Sequence, residues 1–352
     1  MQVFSHPLYQ QEIEKCAKLP LRWEQLRGCK ILITGACGMI GSYMVDLLMA
    51  ANRLHCLDLC VLAMGRNEEK ARTRFAAYAD SENFRIVCGD VNRGVPSGTP
   101  SADYIFHAAS NTHPVAYATD PIGTLTTNVL GTYNLLQFAA DNGCKRFIFA
   151  STVEIYGENR GDREYFTEDY CGYIDCNTLR AGYPESKRAG EALCQAFIAQ
   201  KKLDVVIPRL PRAFGPTLLS SDTKALSQFL RKALQGEDIV LKSDGSQYYS
   251  FIYVADAVLG VLHCLFHGES GAAYNISDRE CDITLRELAE MIAGMVGRKV
   301  VFDLPDKTEQ AGFSKATKAV MDSSKLKALG WVPFFSLKEG IANCLSVMRA
   351  AE

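Results

Sequence analysis

Lys30-Ile31-Leu32-Ile33-Thr34-Gly35-Ala36-Cys37-Gly38-Met39-Ile40-Gly41 decides the reading of this chain. Its first five residues are short and apolar enough for a strand buried on both faces. The next seven carry three glycines in a GxxGxxG spacing. An amphipathic pattern from Ser42 to about Ala51 predicts a helix after them. Glycines at a strand-to-helix turn let the backbone approach a pyrophosphate and aim the helix's free N–H groups at it. A tight turn with close helix packing would use the same residues. The order of strand, glycines and helix selects the dinucleotide site, with Gly35, Cys37, Gly38, Met39, Ile40 and Gly41 against the pyrophosphate.

Working outward, residues 59–64 predict a second strand that ends at Gly65-Arg66-Asn67. An acidic residue here would hold the ribose hydroxyls of NAD, whereas an arginine can accept the additional phosphate of NADP. Arg66 therefore leaves NAD and NADP both open, and it also reads as a surface arginine opening a helix over 68–79. Residues 84–88 form a third strand leading to Asp90 and Val91, where Asp90 could accept from the adenine amino group. Residues 104–107, ending in His107, form a fourth, and Ala108, Ala109 and Ser110 are small enough for a nicotinamide ribose to lie on the backbone. A long helix over 124–142 and a strand over 146–150 follow. Strands alternating with helices in this way predict an α/β fold, a Rossmann-type doubly wound parallel sheet. After a further strand over 204–210 the elements shorten, which predicts a smaller α/β substrate-binding lobe at the C-terminus. The expected division is an N-terminal helical extension over 1–28, the NAD(P)-binding domain over 29–208 and mainly the substrate lobe over 209–352.

The chain has 352 residues, 48% of them hydrophobic and 22% charged, which suffices for a full core. A net charge of -2 argues against nucleic-acid and membrane surfaces as partners. The first 26 residues lack the apolar run of a secretory leader, and no apolar stretch of about 18 residues occurs. A cytoplasmic location is expected. Thirteen cysteines without a CxxC pair read as reduced thiols. His107 and His113 lack acidic or thiol partners at ligand spacing, so no metal is expected.

Tyr183 and Lys187 stand four apart at the start of a helical pattern over 186–201, so their side chains share one helix face. A nearby ammonium favours a phenolate, which makes the tyrosine a usable general acid/base. Such a pair is common by chance. Thr152 adds weight: it sits just past the 146–150 strand, at the end of a parallel sheet where ligands gather, and offers an accompanying hydroxyl.

With these residues laid out, the chain resembles an extended short-chain dehydrogenase/reductase of the sugar-nucleotide epimerase/dehydratase type. The resemblance rests on Gly35, Gly38 and Gly41, His107-Ala108-Ala109, Asn128-Val129-Leu130-Gly131-Thr132, Ser151-Thr152 with Tyr156-Gly157, Tyr183 with Lys187, and Gly330-Trp331-Val332-Pro333. It implies tightly held NAD, touched also by His107, Asn128, Tyr183 and Lys187, and a nucleotide-diphosphate sugar oxidised at carbon 4. Tyr183 is then the base, Lys187 stabilises it and binds the ribose, and Thr152 and Ser110 contact substrate. Glu154, two residues after Thr152, looks like the acid or base of the 4,6-dehydratase and UDP-glucuronate decarboxylase branch; a salt bridge at the sheet edge is its other reading. Residues 120–128 and 180–183 resemble the decarboxylases, with a nucleotide-sugar 4-epimerase or a 4,6-dehydratase as alternatives. A non-catalytic dinucleotide sensor is the alternative of another class. The chain departs from the pattern at Val153, where dehydratases place Asp. It departs again at Arg212, where the family places Asn, and over 247–251, where decarboxylases carry an Arg and this chain has Tyr249. Arg212, as a two-pronged donor to the diphosphate in a rearranged site, and Tyr249 become candidate substrate ligands. The resemblance also implies a homodimer formed through the two long helices.

Overall fold

The computed structural model describes residues 3–112, 114–303 and 316–350. Its first half supplies β1 (Lys30–Thr34), β2 (Cys60–Gly65), β3 (Phe84–Cys88), β4 (Tyr104–His107), β5 (Arg146–Phe149), β6 (Ser151–Thr152) and β7 (Val205–Leu210). The second half adds β8 (Arg212–Phe214), β9 (Ile239–Leu241), β10 (Tyr248–Tyr253), β11 (Ala273–Asn275), β12 (Asp282–Thr284), β13 (Val300–Phe302) and β14 (Lys318–Ala319). The order β11-β7-β5-β4-β1-β2-β3, with β6 also on β7, makes an eight-stranded sheet. Every pairing in it is parallel. The helices are α1 (Pro7–Ala17), α2 (Met39–His55), α3 (Glu68–Arg74), α4 (Pro114–Thr119), α5 (Pro121–Asp141), α6 (Gly182–Lys201), α7 (Ala225–Leu234), α8 (Val254–His267), α9 (Leu285–Met295), a single turn, Ser324–Lys327, and a C-terminal helix, Leu337–Arg349.

Strand β1 is buried from Ile31 onward because both faces are covered. Ile31 and Ile33 pack in one cluster with Val45 and Leu48 of α2 and Val258 of α8. Leu32 points the other way, into a cluster with Leu135 and Leu136 of α5 and Cys194 of α6. The pleat alternates the faces, so an unbroken apolar run serves two layers.

The smaller lobe holds β12-β10-β14 with β8 on β10, and a separate β13-β9 pair. The division expected at residue 208 falls inside β7. The chain also returns to the large sheet later, through α8 and β11, so the substrate lobe is interleaved with the sheet. Several helix limits differ from those read in sequence. Helix α2 begins at Met39, and α6 begins at Gly182, which puts Tyr183 in its first turn. Helix α3 stops at Arg74 and gives way to a 3-10 turn, Ala76–Tyr78. The Leu337–Arg349 helix was not expected at all. Its signal was present: Ser336 and Glu339 form a reciprocal capping box ahead of an apolar face.

The N-terminal extension is part of the core. Tyr9 is buried and donates to Asp46 of α2 at 2.6 Å. Glu12, also buried, accepts from Tyr43 of α2 at 2.9 Å, Tyr253 of β10 at 2.9 Å and Asn343 of the C-terminal helix at 3.0 Å. Burial raises its pKa, and the three donors oppose that rise. One carboxylate thereby joins the extension, the large sheet's helical layer and the small lobe. Glu12→Ala would strip three donors of their acceptor, and stability to urea is expected to fall by about 3 kcal/mol; an unchanged midpoint would show that the hub contributes nothing.

Candidate active site

Construction begins at the turn after β1. Gly35 has φ +67°, and a Cβ on it would lie 2.7 Å from the carbonyl oxygen of Ala108. A Cβ on Gly41 would lie 2.4 Å from the carbonyl oxygen of Gly35. Only hydrogens fit at either point, so α2 presses its first turn against the ends of β1 and β4. No side chain caps α2 at Gly38, which leaves its N-terminal amides for a ligand. Cys37, Met39 and Ile40 complete this rim of a cleft of about 520 Å³, a size that takes a large ligand.

The cleft continues past Arg66, Asn67 and Lys70 to Asp90 and Val91, then along Ala108, Ala109 and Ser110. Arg66 is exposed at its edge. Asp90 accepts from the amide of Asn92 at 3.0 Å, so its carboxylate already shapes the turn after β3.

Two residues expected at the cofactor do not line this cleft. His107 is fully buried; Thr34 meets its Nδ1 at 2.8 Å and Thr132 its Nε2 at 3.1 Å. Burial first, then the charge of Lys187, pulls its pKa down to about 3, so the ring is neutral and tethers β4 to α5. Asn128 is fully buried between α5 and α6, donating to Ser186 at 2.9 Å, and Ser186 donates to the carbonyl of Tyr183 at 2.8 Å. Asn128 thus acts on the site through the backbone at Tyr183.

The chemical end lies where β6 meets α6. Tyr183 lines the cleft beside Thr152 and stacks on Tyr117 at 4.8 Å between centroids. Burial raises its pKa above the ordinary phenol value, and the Glu154 charge adds to that. The expectation that Lys187 lowers it is corrected here. Lys187 donates to the carbonyl of Ala150 at 2.8 Å, and its Nζ lies 4.9 Å from the centre of the Phe149 ring. Its own pKa is drawn down to about 8 by burial. The ammonium is spent on the backbone at the end of β5, and desolvation of the phenol dominates.

Glu154 accepts from Arg180 at 2.6 Å, so the salt bridge read as one alternative does form, but at the cleft wall with Arg180 held over the Tyr117 ring at 4.7 Å. Arg212, in β8, also lines the cleft. Its guanidinium lies 3.4 Å from the centre of the Tyr249 ring, because β8 runs beside β10. Tyr249 donates to the carbonyl of Ala316 at 2.6 Å and backs Arg212; it does not line the cleft. Tyr117 and Arg180 were missed as site residues. Nothing in their spacing links them to Glu154; only the fold does.

Behind the cleft, Ser151 donates to Glu191 at 2.5 Å, and Arg209 joins Glu191 at 2.6 Å to Tyr156 at 2.9 Å. This buried network fixes β6, and with it Thr152. Among the described residues no cluster of His, Cys, Asp or Glu could hold a metal; His113 lies outside them.

The model of the NAD dependent epimerase/dehydratase family matches residues 31–277. The chain belongs to that family. Among its relatives, a UDP-glucuronic acid decarboxylase of Danio rerio is 32% identical over 314 residues, 89% of this chain and 71% of that protein. A double mutant of the dTDP-glucose 4,6-dehydratase of Streptomyces venezuelae, solved with NAD bound, superposes with a TM-score of 0.77 at 25% identity, over 91% of this chain and 96% of that one. The UDP-glucuronic acid 4-epimerase of Bacillus cereus, solved with UDP-glucuronic acid and NAD, shares the fold with a TM-score of 0.76 at 20% identity, over 92% and 100%. The glycine turn, the small residues after β4 and the Thr152/Tyr183 pair all lie inside the matched span.

Proposed function

We propose that this family member is an NAD-dependent nucleotide-sugar enzyme that works through a transient 4-keto sugar, most like a UDP-glucuronate decarboxylase. The observation that carries this reading is the standing of Thr152 and Tyr183 together at the end of a glycine-rimmed cleft, with Glu154 and Arg180 beside them. The turn fits the cofactor: Gly35, Gly38 and Gly41 offer an uncapped helix start, and the small side chains of Ala108 and Ala109 leave room for a nicotinamide ribose. Bound NAD supplies a hydride acceptor that later gives the hydride back. Arg66 leaves room for NADP as well.

Tyr183 takes the proton from the hydroxyl at sugar carbon 4 as the carbon loses its hydride. Thr152 donates to that oxygen and holds it at the phenol. The resulting ketone makes a carboxylate beta to it easy to lose, and it acidifies carbon 5, where Glu154 serves as acid or base. Arg180 fixes the plane of the Glu154 carboxylate. A dinucleotide sensor has no use for this hydroxyl pair.

A second copy of the chain is the partner we propose for α5. Ile122, Leu125, Leu130 and Tyr133 fall on one exposed face of it, Ile122 at 78% exposure. We also place the protein in the cytoplasm, where its thirteen unpaired thiols would stay reduced. Among the described residues no helix is long and apolar enough to cross a membrane.

Mass spectrometry of nucleotide sugars incubated with the protein and NAD tests the main reading. Loss of carbon dioxide from UDP-glucuronate is expected, and Tyr183→Phe should reduce turnover at least about 100-fold. Loss of water would make it a dehydratase, an isomer of equal mass an epimerase, and an unchanged panel would refute the proposal. For pH, the phenol must lose its proton to act, and its pKa is raised, so formation of reduced nicotinamide should quicken as pH rises. Glu154→Gln removes a charge that raises that pKa, and the pH midpoint of this half-reaction should move down; an upward move would contradict the assignment. Light scattering should give a dimer mass for the wild type and a monomer mass for Ile122→Glu.

A further inference from the structure

Arg212 is a candidate substrate ligand with which no carboxylate forms an ion pair among the described residues. Its Nη1 is buried and has no hydrogen-bond partner among the described residues. Burial draws its pKa below the ordinary guanidinium value. Its flat face is covered by Tyr249, and the stack fixes its plane while Nη1 stays without a partner. It lines both the main cleft and a smaller hollow beside it, which is walled by Val153, Glu154 and Arg180.

The charges around that hollow do not balance. Glu154 is already engaged by Arg180 at 2.6 Å. Glu158 and Asp175 also border it, but Glu158 lies within 3.7 Å of Arg160, and Asp175 is exposed and accepts from the amide of Asn177. No carboxylate pairs with Arg212 among the described residues. A desolvated guanidinium without an anion is costly, so the site is built to receive one from a ligand.

Position decides which anion. Thr152 and Tyr183 mark the carbon that is oxidised, on the reading proposed above. Arg212 feels the charges of Glu154 and Arg180, which stand beside that pair. The substituent on the neighbouring ring carbon falls in this corner, whereas the nucleotide diphosphate hangs from the carbon across the ring. A guanidinium edge matches a carboxylate with two parallel hydrogen bonds.

We propose that Arg212, held flat by Tyr249, binds the carboxylate of a uronic-acid sugar and makes this site selective for nucleotide uronates over neutral nucleotide hexoses. The inference rests on the nucleotide-sugar reading. The NAD-loaded Tyr183→Phe protein, which binds without turning over, allows a direct test by calorimetry with UDP and dTDP forms of glucuronate and glucose, and with UDP alone. Glucuronate should bind at least about 30-fold more tightly than glucose on the same nucleotide. Adding Arg212→Gln should abolish that gap and leave UDP and the glucose forms unchanged. Arg212→Lys, which keeps the charge and so protects the fold, should narrow the gap at least about tenfold because the two-pronged contact is lost. A uniform weakening of all ligands, UDP included, would make Arg212 a diphosphate ligand and overturn the proposal. Equal binding of glucuronate and glucose, or a gap that survives both substitutions, would overturn it while leaving the nucleotide-sugar reading intact. Failure of every nucleotide sugar to bind would overturn both.

Discussion

The close approach of three backbone segments governs this molecule. The carbonyl oxygen of Gly35 lies where a Cβ of residue 41 would stand, and the Ala108 carbonyl lies where a Cβ of residue 35 would stand. Because no side chain intervenes, the start of α2 sits at the carboxyl ends of β1 and β4. Its uncapped amides, the small residues after β4 and the turn after β2 then share one cleft. Wider spacing would separate them and bury the helix start against side chains.

Polar interactions set what the close approach leaves free. His107, neutral because it is buried, ties Thr34 of β1 to Thr132 of α5, and the Thr34 hydroxyl also accepts from the amide of Ala109 at 3.3 Å. The residues expected to touch a cofactor here instead hold the backbone that would. Asn128 does the same for the first turn of α6 through Ser186. On the far side, Glu191 and Arg209 lock Ser151, so Thr152 reaches the cleft from a strand of two residues. Glu12 ties the small lobe to the sheet, which fixes β8 and β10, and therefore Arg212 and Tyr249, relative to Tyr183.

The aromatic and cationic side chains around Tyr183 and Arg212 are arranged by stacking. Tyr117 lies on Tyr183, Arg180 on Tyr117 and Arg212 on Tyr249. Each stack shields a flat face and leaves an edge for polar contact. Within this corner burial raises the pKa of the phenol and lowers that of the lysine, so desolvation outweighs their mutual charge.

Sequence by itself determined the parallel sheet. Apolar runs of strand length, the glycine spacing and the helical periods are local patterns that fit a doubly wound sheet and pointed to Gly35 to Gly41, Thr152, Tyr183 and Lys187; the family resemblance added Glu154, and all of them line one cleft. The C-terminal helix was legible too, in Ser336 and Glu339. Tertiary structure alone decided which polar groups found each other. Glu154 meets Arg180 across 26 residues and Arg212 is backed by Tyr249 across 37; Glu12 meets Tyr253 across 241. It also decided that Lys187 serves Ala150 and that His107 and Asn128 face inward. Such pairings depend on the crossing of elements and on which groups lose water, and neither leaves a periodic mark in the chain.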